Sequence, residues 1–441
     1  MSETTTAHND WVKNVLGFDI SGGGEMGEVA EDGLDEVGGG KAQKRAKGGG
    51  DKDIASGKDG GKGGKASSTA LPADKVLAAS LKALSDEAAA LKKIGFNTKQ
   101  TMADHADLAK RGVAAEKLTE PDRTKQIDEI KKRASEEVEH ARSLSKSVKK
   151  IMGDKKGNPN GSQKSAIYKG AIEDLYGLKI TVPPGMKNTH FDKVFDMFGT
   201  VPKGDVKQDK LKSLTYSNKR ADRGGGAYGS NDIEMGDFGG ARGKETYEID
   251  GKKIPANSFN ITTLHEVGHA VDEKHGIMTK NGAKGGCGGW KRESVRSTTA
   301  AFLPELKKAV TVAPEVTDAV LTAAIRAALK AGTTAQPDGV ANEAWKPILK
   351  YLVGHCLKVR SDADPWFASS QIVVGGRVYQ EAYAAEWWSY DNGARASTKV
   401  NNYQWRSPAE WFAEVYAISW LSKKRAPTGV DASVVPYMYK G

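Results

Sequence analysis

The chain has 441 residues, 38% of them hydrophobic, enough for one substantial core with extensions but not for three independent cores. Lysine and arginine number 66 against 56 acidic residues, a net charge of +10 that is compatible with anionic partners without requiring them. Two cysteines exclude a disulfide framework or an all-cysteine zinc site, and no stretch reaches the length of a membrane span.

Residues 1–20 lack the basic segment and apolar run of a secretory signal, so the chain reads as leaderless, made in a reducing cytoplasm and exported by a dedicated system if it leaves the cell. Within them Trp11, Val12, Val15, Leu16 and Phe18 recur at helical spacing, the pattern of a short docking or delivery peptide. A helix packed on its own protein fits the same spacing. Residues 21–70 hold 16 of the 51 glycines and no aromatic residue, so they cannot bury enough surface to offset ordering entropy and read as a disordered linker. An acidic block from Glu25 to Glu36 precedes eight basic residues and three Asp between Lys41 and Lys65. The blocks nearly cancel, so the linker does not account for the net charge; a solvated linker is expected ahead of a nucleic-acid tail using the basic half.

Residues 71–152 are helical in pattern. One stripe comprises Leu77, Leu81, Leu84, Ala88 and Leu91, and a second runs Ile127, Ile130, Ala134, Val138, Ala141, Leu144, Val148 and Ile151, together predicting a helical hairpin or bundle. Beyond the 157–161 loop lie 29 of the 32 aromatic residues, which places the main core toward the C-terminus. There residues 178–182, 211–217 and 226–235 read as strands. Residues 247–249 and 252–254 flank Asp250-Gly251, a type I′ hairpin signal. A helix is expected over 262–275, long Ala-rich helices over 295–331 and a last helix from Pro408, giving an α+β fold with a small sheet and a C-terminal domain at 165–441.

The strongest local signal is His265-Glu266-Val267-Gly268-His269. Residues four apart share a helical face, so both imidazoles can bind one metal while Glu266 reaches a water on it. Nitrogen ligands with an open position suit zinc, which lowers the pKa of bound water to about 7. Two residues compete for the third ligand. His275 has the extended-motif spacing, but an unbroken helix leaves it about 80° away from His265, and Asp272 stands where a helix-breaking glycine would be needed. Glu410 opens a helix behind Pro408, with Glu414 one turn on, so that one carboxylate can bind the metal and the other can hold a histidine ring. Neighbouring Trp411, Phe412, Tyr416 and Trp420 imply that these carboxylates are buried and need partners.

His265-Glu-Val-Gly-His-Ala-Val-Asp272, followed by Tyr403, Glu410 and Glu414, resembles the catalytic domain of anthrax-lethal-factor-like zinc metallopeptidases and the short zincin domains of bacterial toxins and type VI secretion effectors. The resemblance covers about residues 165–425 and departs from lethal factor in a long insertion between the motifs. It implies His265, His269 and Glu410 as zinc ligands, Glu266 as general base, Tyr403 as stabiliser of the tetrahedral intermediate and Glu414 behind a ligand. A protein or peptide substrate follows. Architecture and resemblance together point to an interbacterial effector, with a secretion-machine component and an immunity protein as partners. A peptidoglycan amidase or endopeptidase using the same zinc, or a non-catalytic binding protein, are the other classes open to these residues. Cys287 and the His355-Cys356 pair lack spaced partners and read as incidental or buried thiols. Glycine runs at 224–226 and 285–289 lack a phosphate-loop ending.

Overall fold

The computed structural model describes residues 71–153, 157–186, 189–218, 225–236, 244–278, 289–331, 335–357, 373–382, 386–397, 400–401, 403–424, 426–427, 429–430 and 432–440. Residues 1–70, expected to hold a docking peptide and a linker, and Cys287 lie outside the described residues. None of the described helices is long and apolar enough to cross a membrane.

Three helices come first: α1 (Lys75–Lys93), α2 (Lys99–Ala115) and α3 (Asp122–Met152). Asp74 starts α1 by accepting from the backbone N–H groups of Val76 (3.0 Å) and Leu77 (2.9 Å). Both predicted stripes face inward, from Leu77 to Leu91 on α1 and from Ile127 to Leu144 on α3. The hairpin-or-bundle expectation resolves as a three-helix bundle. Helix α4 (Gly161–Tyr176) follows, begun by a reciprocal Asn160–Gln163 capping box, so the predicted loop runs over 157–160 directly into a helix and the boundary drawn at 165 falls inside α4.

The first sheet is built from β1 (Lys179–Thr181), β2 (Ser213–Ser217), β3 (Gly226–Gly229) and β4 (Asp232–Gly236), with helix α5 (Phe191–Thr200) between β1 and β2. Its order is β1-β2-β4-β3; the first three run parallel and β3 is the antiparallel edge. The single strand expected over 226–235 is instead this β3–β4 hairpin. Ser230 and Asn231 both take positive φ (51° and 64°), the two-residue turn that Asn tolerates and that an alternation count across the turn cannot register. A second hairpin, β5 (Lys244–Ile249) and β6 (Lys252–Asn257), turns at Asp250-Gly251 as its sequence predicts.

Helix α6 (Ser258–His275) begins four residues earlier than expected because Asn257 caps it, accepting from Asn260 N–H at 3.3 Å. The segment before the last helix holds β7 (Lys291–Glu293), α7 (Val295–Ala309), α8 (Asp318–Ala331), α9 (Asn342–Leu352), β8 (Val373–Val374), β9 (Arg377–Ala382) and β10 (Glu386–Asp391). Its four strands form a second, antiparallel sheet ordered β7-β10-β9-β8. Phe302, Leu306, Leu321, Ile325, Trp345 and Ile348 give its helices their own core. Helix α10 (Pro408–Ser422) closes the fold, which is mixed α and β with small sheets, as the pattern of elements predicted.

The bundle is not a loosely tethered module. Leu91, Phe96, Leu144 and Met152 belong to the same apolar cluster as the first sheet, α6 and α10. Lys423, just past α10, sends its ammonium onto the buried Asp104 carboxylate of α2. Burial pushes the Asp104 carboxyl up, and the Lys423 charge opposes that shift. Arg133 of α3 donates to the carbonyls of Gly199 and Val201 (2.6 Å for the latter) while paired with Glu137. Removing one partner of such a buried pair strands the other. Lys423→Met is therefore expected to destabilise the protein by about 3 kcal/mol, read as a shift of the urea midpoint, while an exposed lysine such as Lys82 can be replaced with little change.

Candidate metal centre

Helix α6 is buried on most of its faces, with Ile261, Leu264, Val267, Ala270 and Val271 in the core. It runs unbroken to His275 and stops at Gly276, whose left-handed φ of 59° lets its N–H return to the Asp272 carbonyl (2.7 Å). The Asp272 carboxylate accepts from Met278 N–H at 2.7 Å, and burial lifts its pKa to about 6. Asp272 thus ends the helix rather than breaking it before His275. The His275 ring lies against Tyr437, centroids 4.7 Å apart, and takes no part in the cluster one to three turns upstream.

Helix α10 crosses α6 at Gly268. A Cβ there would stand 3.0 Å from the Ala413 Cα, so only a glycine between the two histidines lets the helices meet this closely. Pro408 occupies the first turn, and the Ser407 hydroxyl accepts from Glu410 N–H (3.2 Å), placing Glu410 one turn inside a capped helix. The crossing brings Glu410 and Glu414, both buried, onto His265.

His265 Nε2 lies 3.0 Å from His269 Nε2 and 2.9 Å from Glu410 Oε2, and His269 Nε2 lies 3.3 Å from the same carboxylate oxygen. Three donor atoms therefore form a near-equilateral triangle, a few tenths of an ångström tighter than the ligand-to-ligand edge of about 3.3 Å in a tetrahedral site with metal bonds near 2.0 Å. His265, Glu266 and His269 each bring a ligand atom within 4.8 Å of one another, a set able to hold a metal ion. Donor chemistry and spacing both fit a small divalent cation. Behind His265, Glu414 Oε1 comes within 3.0 Å of Nδ1, a short contact lying off the direction of an ideal N–H bond.

Electrostatics tie the group together. Burial alone would raise the Glu410 carboxyl, but the His269 charge and hydrogen bonds from both imidazoles overcome it and hold the group well below the ordinary carboxylate range. Burial would lower His265, yet the Glu410 and Glu414 carboxylates carry it far above its ordinary value. The two buried carboxylates that offset charge on the imidazoles here would offset the charge of a bound cation in the same way.

No family model, curated protein or solved structure matches this chain. Its chemistry is read from its own geometry.

Glu266 points toward the first sheet. The backbone of β3 passes so close that a Cβ on Gly226 would fall 2.6 Å from Glu266 Oε1 and 2.6 Å from Thr262 Cγ2. Two residues on, the Tyr228 ring stacks over His269 at 6.3 Å, and its hydroxyl donates to Glu273 (2.6 Å). Gly226→Ala is expected to push the Glu266 carboxylate aside and to destabilise the protein by about 1 to 3 kcal/mol, the order of cost of overpacking, with the His265–His269–Glu410 triangle and its metal affinity unchanged. A thermal melt beside chelator competition reads both.

Tyr403 starts a 3₁₀ turn, Tyr403–Trp405. Its ring meets His265 edge-on at 5.7 Å, and its hydroxyl stands 3.4 Å from Glu410 Oε1 and 3.4 Å from the Arg406 guanidinium, which also lies over the ring. The structure thus brings together all six residues singled out by the sequence: His265, Glu266, His269, Tyr403, Glu410 and Glu414.

What sequence reasoning missed is the support for Tyr403. Gln380 on β9 donates to the carbonyls of Trp405 (3.1 Å) and Arg406 (2.8 Å). Trp405 packs in an aromatic cluster with Trp290, just before β7, and Tyr390 of β10. The segment between α6 and α10 therefore holds the Tyr403 turn in place. A run of tryptophans in the sequence signals burial, but not against which segment. His355 stacks on Tyr351 with Nδ1 3.0 Å from that residue's carbonyl, and burial pushes the Cys356 thiol up to about 12, so neither joins the centre.

Proposed function

We propose that the chain is a zinc metallopeptidase that hydrolyses peptide bonds. The observation that carries this reading is the single carboxylate oxygen, Glu410 Oε2, within 2.9 and 3.3 Å of both motif histidines. His265, His269 and Glu410 are the zinc ligands in this reading, with Glu414 behind His265. Zinc held there supplies Lewis acidity that polarises a carbonyl and makes water a better nucleophile near neutral pH.

The remaining work falls to this chain's own groups. Glu266 accepts the proton of the attacking water and passes it to the leaving amine. The Tyr403 hydroxyl, half-buried beside Glu410, donates to the oxygen that becomes negative as the carbonyl turns tetrahedral. Among the described strands β3 is the edge of its sheet. Gly236 N–H donates to the Gly225 carbonyl at 3.0 Å. By alternation Ala227 and Gly229 also face β4, which leaves the N–H and C=O of Gly226 and Tyr228 directed to the open edge. An extended peptide adding there lies beside Glu266, which supports recognition by strand addition.

Tyr403→Phe removes one donor and is expected to lower kcat by about 10² to 10³ with zinc content and folding intact. A change confined to KM would make Tyr403 a binding residue. The decisive experiment is metal analysis of the purified chain together with cleavage profiling of a proteome digest against Glu266→Gln. Zinc at one per chain and cleavages lost in the variant support the reading; purified cell-wall sacculi degraded with proteins untouched would assign the amidase chemistry instead. The effector context, with delivery through residues 1–20 and an immunity partner, rests on the family resemblance.

A further inference from the structure

Glu414 is held from behind. Its Oε1 faces His265 Nδ1, and its Oε2 accepts from Asn401 Nδ2 at 2.7 Å. The other end of the same amide, Asn401 Oδ1, accepts from Gln404 N–H at 3.0 Å. Gln404 answers with its own side chain: Oε1 accepts from Asn401 N–H (3.0 Å) and from Val400 N–H. Gln404 is fully buried and directly follows Tyr403, so this reciprocal pair closes the turn from which the phenol projects. Tyr403 Oη then reaches Glu410 Oε1, and Glu410 Oε2 reaches His265 Nε2. The contacts form a closed circuit: His265, Glu414, Asn401, the 403–405 turn, Glu410, and His265 again.

We propose that Asn401 is the positioning residue that couples the metal-ligand histidine to the Tyr403 turn, fixing Glu414 with one end of its amide and the phenol's turn with the other. The proposal rests on the metallopeptidase reading. An amide suits this place because its two ends have opposite polarity: a donor for a carboxylate and an acceptor for a backbone N–H. Aspartate has the same shape and keeps the acceptor for Gln404, but it sets a second carboxylate 2.7 Å from Glu414, where only a donor is tolerated. Alanine removes both ends. Loss of Asn401 therefore acts at two points, on the ring of a ligand and on the oxyanion donor, without touching either.

The opposite polarity of the two amide ends allows a rescue by exchange. In the double variant Asn401→Asp with Glu414→Gln, the amide and the carboxylate change places: the introduced carboxylate accepts from the introduced amide, whose oxygen still faces His265. The experiment measures zinc affinity by chelator competition, with zinc alone as the probe, and thermal midpoint in the full chain, N401A, N401D, E414Q and the N401D/E414Q pair. Each single variant is expected to lose about 10- to 100-fold in affinity, as when the partner of a ligating histidine is lost. The pair is expected to regain at least about tenfold over N401D, a coupling typical of residues in one hydrogen-bond network. Turnover of N401D should fall in kcat with KM unchanged. Should N401A fail to fold, the isosteric N401D and its rescue decide alone. Folded single variants with wild-type zinc affinity, or a pair no better than the sum of its parts, would overturn the proposal. Absence of zinc binding in the wild-type chain would overturn the metallopeptidase reading beneath it.

Discussion

Glu266→Gln is expected to hydrolyse peptide substrate at least about 10²-fold more slowly than the wild-type chain, with zinc still bound at one per chain. The substitution keeps the shape of the side chain and removes only its capacity to accept a proton. Its surroundings make this a clean test: the carboxylate is buried between α6 and the β3 backbone, with Gly226 immediately over it, so an isosteric amide occupies the same space without rearrangement. Zinc affinity separates the two ways of losing activity, since Glu266 lies outside the His265–His269–Glu410 triangle. Wild-type turnover in this variant would remove Glu266 from the mechanism and with it the proposed chemistry.

Metal affinity is expected to drop by more than about 100-fold in Glu410→Ala, beyond what loss of a residue behind a ligand costs, and to stay within a few-fold of wild type in His275→Ala. Glu410 faces both motif histidines, and its removal leaves two imidazoles and no third donor atom in the triangle. His275 sits on Tyr437 at the far end of α6, and its truncation there touches packing alone. The measurement is zinc affinity by chelator competition on both variants, with the thermal midpoint of each as a control for folding. Zinc retained by Glu410→Ala and lost from His275→Ala would restore the other ligand assignment.

The centre was legible in the sequence to an uncommon degree because it is made of two helices, and helical spacing is a local property. A spacing of four from His265 to His269, and of four from Glu410 to Glu414, sets each pair on one face before any fold is known. Pro408 announced the start of α10, and Asp250-Gly251 announced its hairpin, because helix starts and turns are chosen by backbone angles that few residues tolerate. The same locality explains the errors. Residues 226–235 read as one strand since both halves of a hairpin share β composition, and the Ser230-Asn231 turn carries no glycine to mark it.

By itself the sequence determined the helices with their inward stripes, the two hydrogen-bonding hairpin arms around Asp250-Gly251, and the facing of each candidate ligand on its own helix. Only the tertiary structure decided which of these faces meet. Glu410 stands beside His265 although 145 positions separate them, because Gly268 lets α10 cross α6 at backbone contact and because both helices bury their remaining surface in one core. The roles of Asn401, Gln380 and Trp405 are likewise set by tertiary structure: each acts through a partner distant in sequence or through the two ends of one amide. The physical reason is that spacing along a chain encodes direction around a helix or strand, whereas the approach of two elements depends on the volume of every side chain between them.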